Sequence, residues 1–222
     1  MDNQPIQKYE HPYLTVDIII LTIRDDQFEV ALIKRGIEPF KGKWAIPGGF
    51  VRMDESLEAA ALRELEEETG VADVYLEQLY TFGDVGRDPR DRVVTVAYFA
   101  LVPSDKLHLV GASDADDAQW FSVDKLPELA FDHAKVMQCA VDRVRSKLDY
   151  STIAFRLLPD EFRLSELQRV YEIILGEPQD KRNFRKKILS LNLVEETGEK
   201  HAGASHRPAA LYRFKDPSRQ YF

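Results

Sequence analysis

The stretch GFVRMDESLEAAALRELEEETGV, residues 49–71, decides how the rest of the chain is read. From Glu55 onward it is dense in Ala, Leu and Glu, all strong helix formers, and Gly70 tolerates the left-handed conformation that closes many helices. The composition predicts a helix over residues 55–69 with Gly70 as its C-cap. Glu64, Glu67 and Glu68 stand at i, i+3 and i+4, so their carboxylates project from one helix face within about 6 Å of each other. Like charges at those spacings oppose the helix by roughly 0.2–0.5 kcal/mol per pair. A hard divalent cation, Mg²⁺ or Mn²⁺, would offset that repulsion, because such ions prefer carboxylate oxygens and keep positions open for phosphate and water. Gly48 and Gly49 let the backbone come close to the start of this helix, where amide donors and the helix dipole favour anions. Together these features describe a site for a metal and a diphosphate.

Outward from this helix the pattern becomes β-rich. Residues 13–23 and 28–35 are rich in β-branched side chains on either side of Asp25-Asp26, and read as two strands of a hairpin. Pro39, Gly42, Pro47, Gly48 and Gly49 punctuate residues 36–49, which are expected to be loop with residues 43–46 at most a short strand. Further strands are expected at 75–82, 92–102 and 119–121. A helix is expected over 133–148, where Val136, Ala140, Val144 and Leu148 recur at helical spacing.

After a junction at about residues 149–160, Ser165 and Gln168 offer a capping box to a helix whose stripe is Leu167, Val170, Tyr171 and Ile174, stopped by Gly176. Asp180 can cap a second helix with Phe184, Ile188 and Leu191 on one side and Arg182, Arg185, Lys186 and Leu189 on the other. Residues 193–197 and 210–214 then read as a two-stranded ribbon. Lys181, Arg182, Asn183, Arg185, Lys186 and Lys187 crowd the second helix, so a helix-turn-helix with base-reading and phosphate-holding side chains is expected there. Arg207, with Lys200, His201 and His206, would add contacts from the wing.

Charge divides along the same line. Residues 1–150 carry 17 Lys and Arg against 28 Asp and Glu, a balance of −11, and residues 151–222 carry 13 against 10, a balance of +3. The acidic part suits a cation and the basic part an anionic partner. With 44% hydrophobic and 31% charged residues the chain is neither disordered nor membrane-embedded in type, and its single cysteine, Cys139, excludes an internal disulfide and four-cysteine zinc frameworks. The absence of a leader pattern or a long apolar run points to a cytoplasmic protein without membrane attachment.

The block G-x5-E-x7-R-E-U-x-E-E-x-G-U, where U is a bulky apolar residue, is matched at Gly49, Glu55, Arg63, Glu64, Leu65, Glu67, Glu68, Gly70 and Val71, and resembles the Nudix box. That resemblance implies an α+β Nudix fold, with a mixed sheet between helices, and metal-assisted hydrolysis of a nucleoside diphosphate derivative. It makes Glu64, Glu67 and Glu68 metal ligands and Arg63 the residue that orients them, with Glu55 paired to Arg63. Residues 105–127 contain no glutamate to serve as an added general base, and Asp114, Asp116, Asp117 and His133 leave that role open. Arg87 and Arg90, with Arg35 and Trp44 from the other loop and the Gly48-Gly49 backbone, resemble the substrate side of a subgroup that recognises ADP-ribose. The second part resembles the winged helix-turn-helix of the Nudix-related transcriptional regulators of NAD metabolism. The expected organisation is therefore a Nudix domain over 1–150 and a small DNA-binding domain over 151–222.

The resemblance implies a regulator that binds ADP-ribose, or a related nucleoside diphosphate derivative, and a double-stranded DNA operator. It is expected to form a homodimer, since paired winged helices usually read near-palindromes. Because the box is intact, it is also expected to keep Mg²⁺-dependent hydrolysis of ADP-ribose to AMP and ribose 5-phosphate. Two alternatives remain at this stage: a plain hydrolase whose second domain only dimerises, and a sugar-responsive regulator of pentose use.

Overall fold

Eight consecutive residues, Thr15 to Thr22, are buried, a run that only a central strand covered on both faces sustains. The computed structural model describes residues 10–70, 74–104, 115–200, 210–216 and 220–222. In chain order its elements are β1 (Tyr13–Arg24), β2 (Gln27–Arg35), β3 (Trp44–Ala45), β4 (Gly48–Phe50), α1 (Leu57–Thr69), β5 (Tyr75–Phe82), β6 (Val93–Leu101), β7 (Ala115–Ser122), α2 (His133–Lys147), β8 (Glu161–Phe162), α3 (Leu164–Leu175), α4 (Lys181–Ser190), β9 (Val194–Lys200) and β10 (Ala210–Phe214).

β1 joins β2 through Asp25 and Asp26, both at positive φ (47° and 59°), the geometry a two-residue hairpin demands. On its other side β1 runs parallel to β6, and β5 closes that edge antiparallel. β3 and β7 both pair with β2, while β4 pairs with the first half of β1. Alternation along β1 then sorts two layers. Val16, Ile18 and Ile20 pack against Ala60, Ala61 and Leu65 of α1, while Ile19 and Leu21 pack with Val136, Met137 and Ala140 of α2. Leu65 is fully buried, so Leu65→Ala would cost about 2–5 kcal/mol. Among the described residues no helix is long and apolar enough to cross a membrane.

Several local expectations need correction. α1 begins at Leu57 because Ser56 caps it, its hydroxyl accepting the Ala59 amide hydrogen at 3.1 Å; Gly70 closes it at φ 66°. Gly48 and Gly49, expected as loop, belong with Phe50 to a strand, since their backbone runs alongside β1 at Thr15–Asp17. The cap of α3 is Arg163, not Ser165: Glu166 reaches back to accept the Arg163 amide hydrogen at 2.7 Å, and Ser165 lies in the first turn. The ribbon has a third strand, for β8 pairs with β10 at Phe162 and Tyr212. The junction is also packed: a 3-10 turn over Ile153–Leu157 buries Ile153, Ala154, Phe155 and Leu157, with Phe155 stacked on Phe214 at 4.4 Å. One hydrophobic core therefore runs without a break from Ile19 and Phe99 through Leu148 and Phe155 to Tyr171, Phe184 and Tyr212.

Candidate functional site

The glutamates of α1 separate into two kinds. Glu64 and Glu68 are buried, whereas the Glu67 side chain is half exposed and pairs with Arg63 at 3.5 Å and Arg52 at 4.0 Å. Positions i and i+4 lie closer together around a helix than i and i+3, and the two arginines draw the third carboxylate outward. Among the described residues, no three His, Cys, Asp or Glu side chains converge on one cation position. Where three converging ligands were expected, the structure has two inward carboxylates with a third beside them.

Arg63 organises this cluster. Its Nε and Nη2 donate to Glu55 at 3.1 and 2.8 Å, and its Nη1 donates to Glu64. Those bonds, with the Arg52 amide, hold the Glu55 carboxyl down to about 2. Burial raises Glu64 against the pull of Arg63. Burial also pushes Glu68 up to about 7, reinforced by Glu64 and Glu67. The Glu68 Oε2 atom is buried and makes no hydrogen bond. A buried acceptor without a donor is costly, and hard oxygen donors beside it are what a Mg²⁺-like cation binds, so the residues present fit such an ion. Gly49 explains how the loop tolerates this: a Cβ there would stand 2.1 Å from Glu64 Oε1.

Gly49 also borders a cleft of about 300 Å³. Its walls include Asp17 of β1, Arg35 of β2, Gly48, Arg87, Arg90 and Phe131. Arg35 donates through Nε to the Pro39 carbonyl at 2.8 Å and lies 4.7 Å over the Phe131 ring; its Nη2 is buried without a partner. Burial, then the nearby Arg90 charge, disfavours its protonated form, so an anion in the cleft would relieve both. Arg90 is gripped by Asp88 at 2.6 Å and stands 5.6 Å over Phe131 and 5.7 Å over Phe50. Cation–π contacts of this kind contribute about 0.5–2 kcal/mol and orient the guanidinium.

Two sequence-derived substrate residues are placed differently. Arg87 borders the cleft, but its guanidinium is committed to Asp132 at 2.7 and 3.0 Å and to Asp17 at 3.4 Å, and its side chain is 5% exposed. It holds the cleft together and offers no free donor fork. Trp44 is outside the cleft and packs edge-on against Phe121 at 4.8 Å. The register explains why: Ala45 pairs with Ile33 and both line the cleft, so Trp44 and Lys34 fall on the other face.

His133 begins α2 deep in this wall. Its Nδ1 accepts the Ile46 amide hydrogen at 2.9 Å, and its Nε2 lies 4.0 Å from Asp17. Burial holds its pKa down against Asp17, so the ring is neutral and its proton sits on Nε2. Sequence reasoning missed Asp17, Asp88, Phe131 and Asp132. The Asp88-x-Arg90 spacing was the one local signal available, and the others are brought in only by the fold. Asp114 lies outside the described residues, as do the side chains of Asp116 and Asp117.

In the second half, Asp180 caps α4 by accepting the Asn183 amide hydrogen at 2.9 Å. Phe184 and Ile188 are buried, which turns Lys181, Arg182, Asn183, Arg185, Lys186 and Lys187 outward. Arg185 donates to the Tyr212 hydroxyl at 3.2 Å, while Lys181, Arg182, Lys186 and Lys187 make no ion pair among the described residues. Arg207, His201 and His206 lie outside the described residues.

Comparison with known proteins follows this division. Residues 13–139 match the family described as NUDIX domain, and residues 154–214 match the NrtR DNA-binding winged helix domain. The chain is 40% identical over 210 residues to the ADPR responsive transcriptional repressor NtrR of Acinetobacter baylyi, an alignment covering 93% of this chain and 83% of the relative. It is 37% identical over 137 residues to the ADP-ribose pyrophosphatase of Methanocaldococcus jannaschii, covering 62% of this chain and 78% of the relative. Among solved structures, Shewanella oneidensis NrtR complexed with a 27mer DNA superposes with a TM-score of 0.80 at 39% identity, covering 91% of this chain and 93% of that one.

Proposed function

We propose, since this chain belongs to the NUDIX family and carries an NrtR-type winged helix domain behind its NUDIX domain, that it is an ADP-ribose-responsive, DNA-binding transcription regulator that keeps a hydrolytic site. The observation that carries this reading is the presence in one chain of a buried Glu68 carboxylate oxygen without a hydrogen bond and an exposed basic helix whose lysines and Arg182 make no ion pair among the described residues. The A. baylyi relative, an ADPR responsive repressor, supports repression as the mode of control, and the M. jannaschii pyrophosphatase supports the hydrolysis.

In this reading the diphosphate of ADP-ribose enters the cleft beside Gly48 and Gly49, where the lack of side chains admits it close to the backbone. Arg35 and Arg90 face it with cationic donors, and Phe131 and Phe50 hold those guanidinium planes. Glu64 and Glu68, with Glu67 beside them, would hold Mg²⁺ or Mn²⁺; when bound, the ion polarises phosphate oxygens and acidifies water. Arg63 and Glu55 keep the glutamates aimed. Water adds across one phosphorus–oxygen bond of the diphosphate, giving AMP and ribose 5-phosphate. Lys181, Arg182, Asn183, Arg185, Lys186, Lys187 and Arg207 would face DNA, and the working unit would be a homodimer.

The test is incubation with Mg²⁺ and ADP-ribose, following AMP by chromatography, with Glu68→Gln as the blank. AMP production that falls at least about a hundredfold in the variant, with DNA affinity unchanged, supports the reading. ADP-ribose binding without AMP would leave the box a sensor only, and loss of DNA affinity in Glu68→Gln would overturn the division of labour.

A further inference from the structure

One element reaches from the cleft to the helix that carries α4. The first turn of α2 is built into the cleft. Asp132 clasps Arg87, His133 receives the Ile46 amide, and Phe131, at a left-handed φ of 53°, lies under Arg35 and Arg90. The far end of α2 is built into the winged helix. Arg145 donates through Nε to the Ile174 carbonyl at 2.9 Å, in the last turn of α3, and the Tyr171 hydroxyl of α3 donates to the Leu148 carbonyl at 3.3 Å. Tyr171 in turn meets Phe184 edge-on at 5.1 Å, and Phe184 is the buried anchor of the basic helix α4. Between the two ends Val136, Met137, Ala140, Val141 and Val144 are all buried, so the helix is gripped along its length.

Fifteen residues at the rise of an α-helix span about 22 Å, and a close-packed helix shifts as a body instead of bending. We propose that α2 is the lever by which occupancy of the cleft reaches the DNA-binding helix, with Arg145 and Tyr171 as its coupling contacts. The inference rests on the reading of the cleft as the ADP-ribose site and of α4 as the DNA-facing helix. An anion that engages Arg35 and Arg90 competes with the contacts those guanidinium groups make to Phe131 and Asp88, and so changes the load on the residues from which α2 starts. Helix shifts of about 1–2 Å are the usual currency of such transitions. A shift of that size would move the Ile174 carbonyl and the Tyr171 hydroxyl with α2, and Phe184 after them. Arg145 is one-third exposed, and its second partner is Asp124 at 3.4 Å, so its removal should alter the transmission far more than the stability.

The test uses the full chain without metal, so that ADP-ribose stays intact. Its DNA probe is a fluorescein-labelled duplex that the wild-type protein itself selects from a random library. DNA affinity is read by anisotropy with and without ADP-ribose, and ADP-ribose affinity by calorimetry. Wild type should show a ligand-induced change of about 5- to 150-fold in DNA affinity. Arg145→Gln and Tyr171→Phe should each cut that change below about threefold while keeping both separate affinities within about threefold of wild type, and Arg145→Lys should restore part of it. Variants that retain the full wild-type change overturn the lever alone. Loss of either separate affinity makes the contacts structural and also overturns it. A wild type whose DNA affinity ignores ADP-ribose overturns the regulatory reading and the lever together.

Discussion

The cleft and the basic helix hold their cations in opposite ways. In the cleft every arginine is already engaged: Arg87 between Asp132 and Asp17, Arg90 with Asp88, Arg35 with the Pro39 carbonyl and the Phe131 face. On α4 the lysines and Arg182 stand in solvent without ion pairs among the described residues. A site that must place a small diphosphate to within fractions of an ångström gains from donors fixed in advance. A surface that meets a polyanion gains more from mobile charge that exchanges water and counterions for phosphate.

That contrast can be broken most forcefully at Arg87. Arg87→Met leaves Asp17 and Asp132 facing each other in a buried wall, and should lower unfolding free energy by about 3–5 kcal/mol, read as a drop in the urea midpoint. An unchanged midpoint would mean that the cleft does not depend on internal pairing. At α4 the expectation is reversed: Arg182→Ala with Lys186→Ala should leave the urea midpoint in place, weaken DNA binding at least about tenfold and flatten its salt dependence. An unaltered salt slope would remove this face from the interface.

The smallest effect sharpens the comparison inside the acidic half. Because the folded state raises Glu68 from the ordinary carboxylate value to about 7, its contribution to stability is fully present below about 4.5 and is lost as pH rises through about 7. Without metal, Glu68→Gln should therefore melt a few degrees above wild type at about pH 8, with the gain vanishing toward about pH 5. Excess Mg²⁺ should reverse the order at the higher pH, because only the carboxylate gains from the ion. A pH-independent difference in thermal melting would show that Glu68 does not titrate in this range.

What the sequence disclosed follows the range of the interactions. The box on α1, its Gly70 cap and the exposed face of α4 are set by spacings of three or four residues, and were legible at that scale. Asp17, Phe131 and Asp132 were not, because β1 and the start of α2 meet only after the sheet has formed. Trp44 was misjudged because a strand of two residues carries no period from which to tell its faces. The cap at Arg163 was missed because Ser165 with Gln168 and Arg163 with Glu166 offer overlapping three-residue frames, and the one with the charged acceptor prevails.

The parallel pairing of β1 with β6 also has a cost in time. Thr22 donates its hydroxyl hydrogen to the Val102 carbonyl across a sequence separation of 80 residues. At ordinary rates of synthesis those residues take about 4–16 s to emerge, longer than small domains need to fold. Until β6 emerges, the central strand of the sheet has only β2, β4 and α1 for cover, and an open edge where β6 belongs. The interval in which a nascent chain is most exposed to wrong partners therefore outlasts completion of the glutamate helix, and slowing or crowding synthesis over residues 25–101 should harm yield more than any delay in the winged helix.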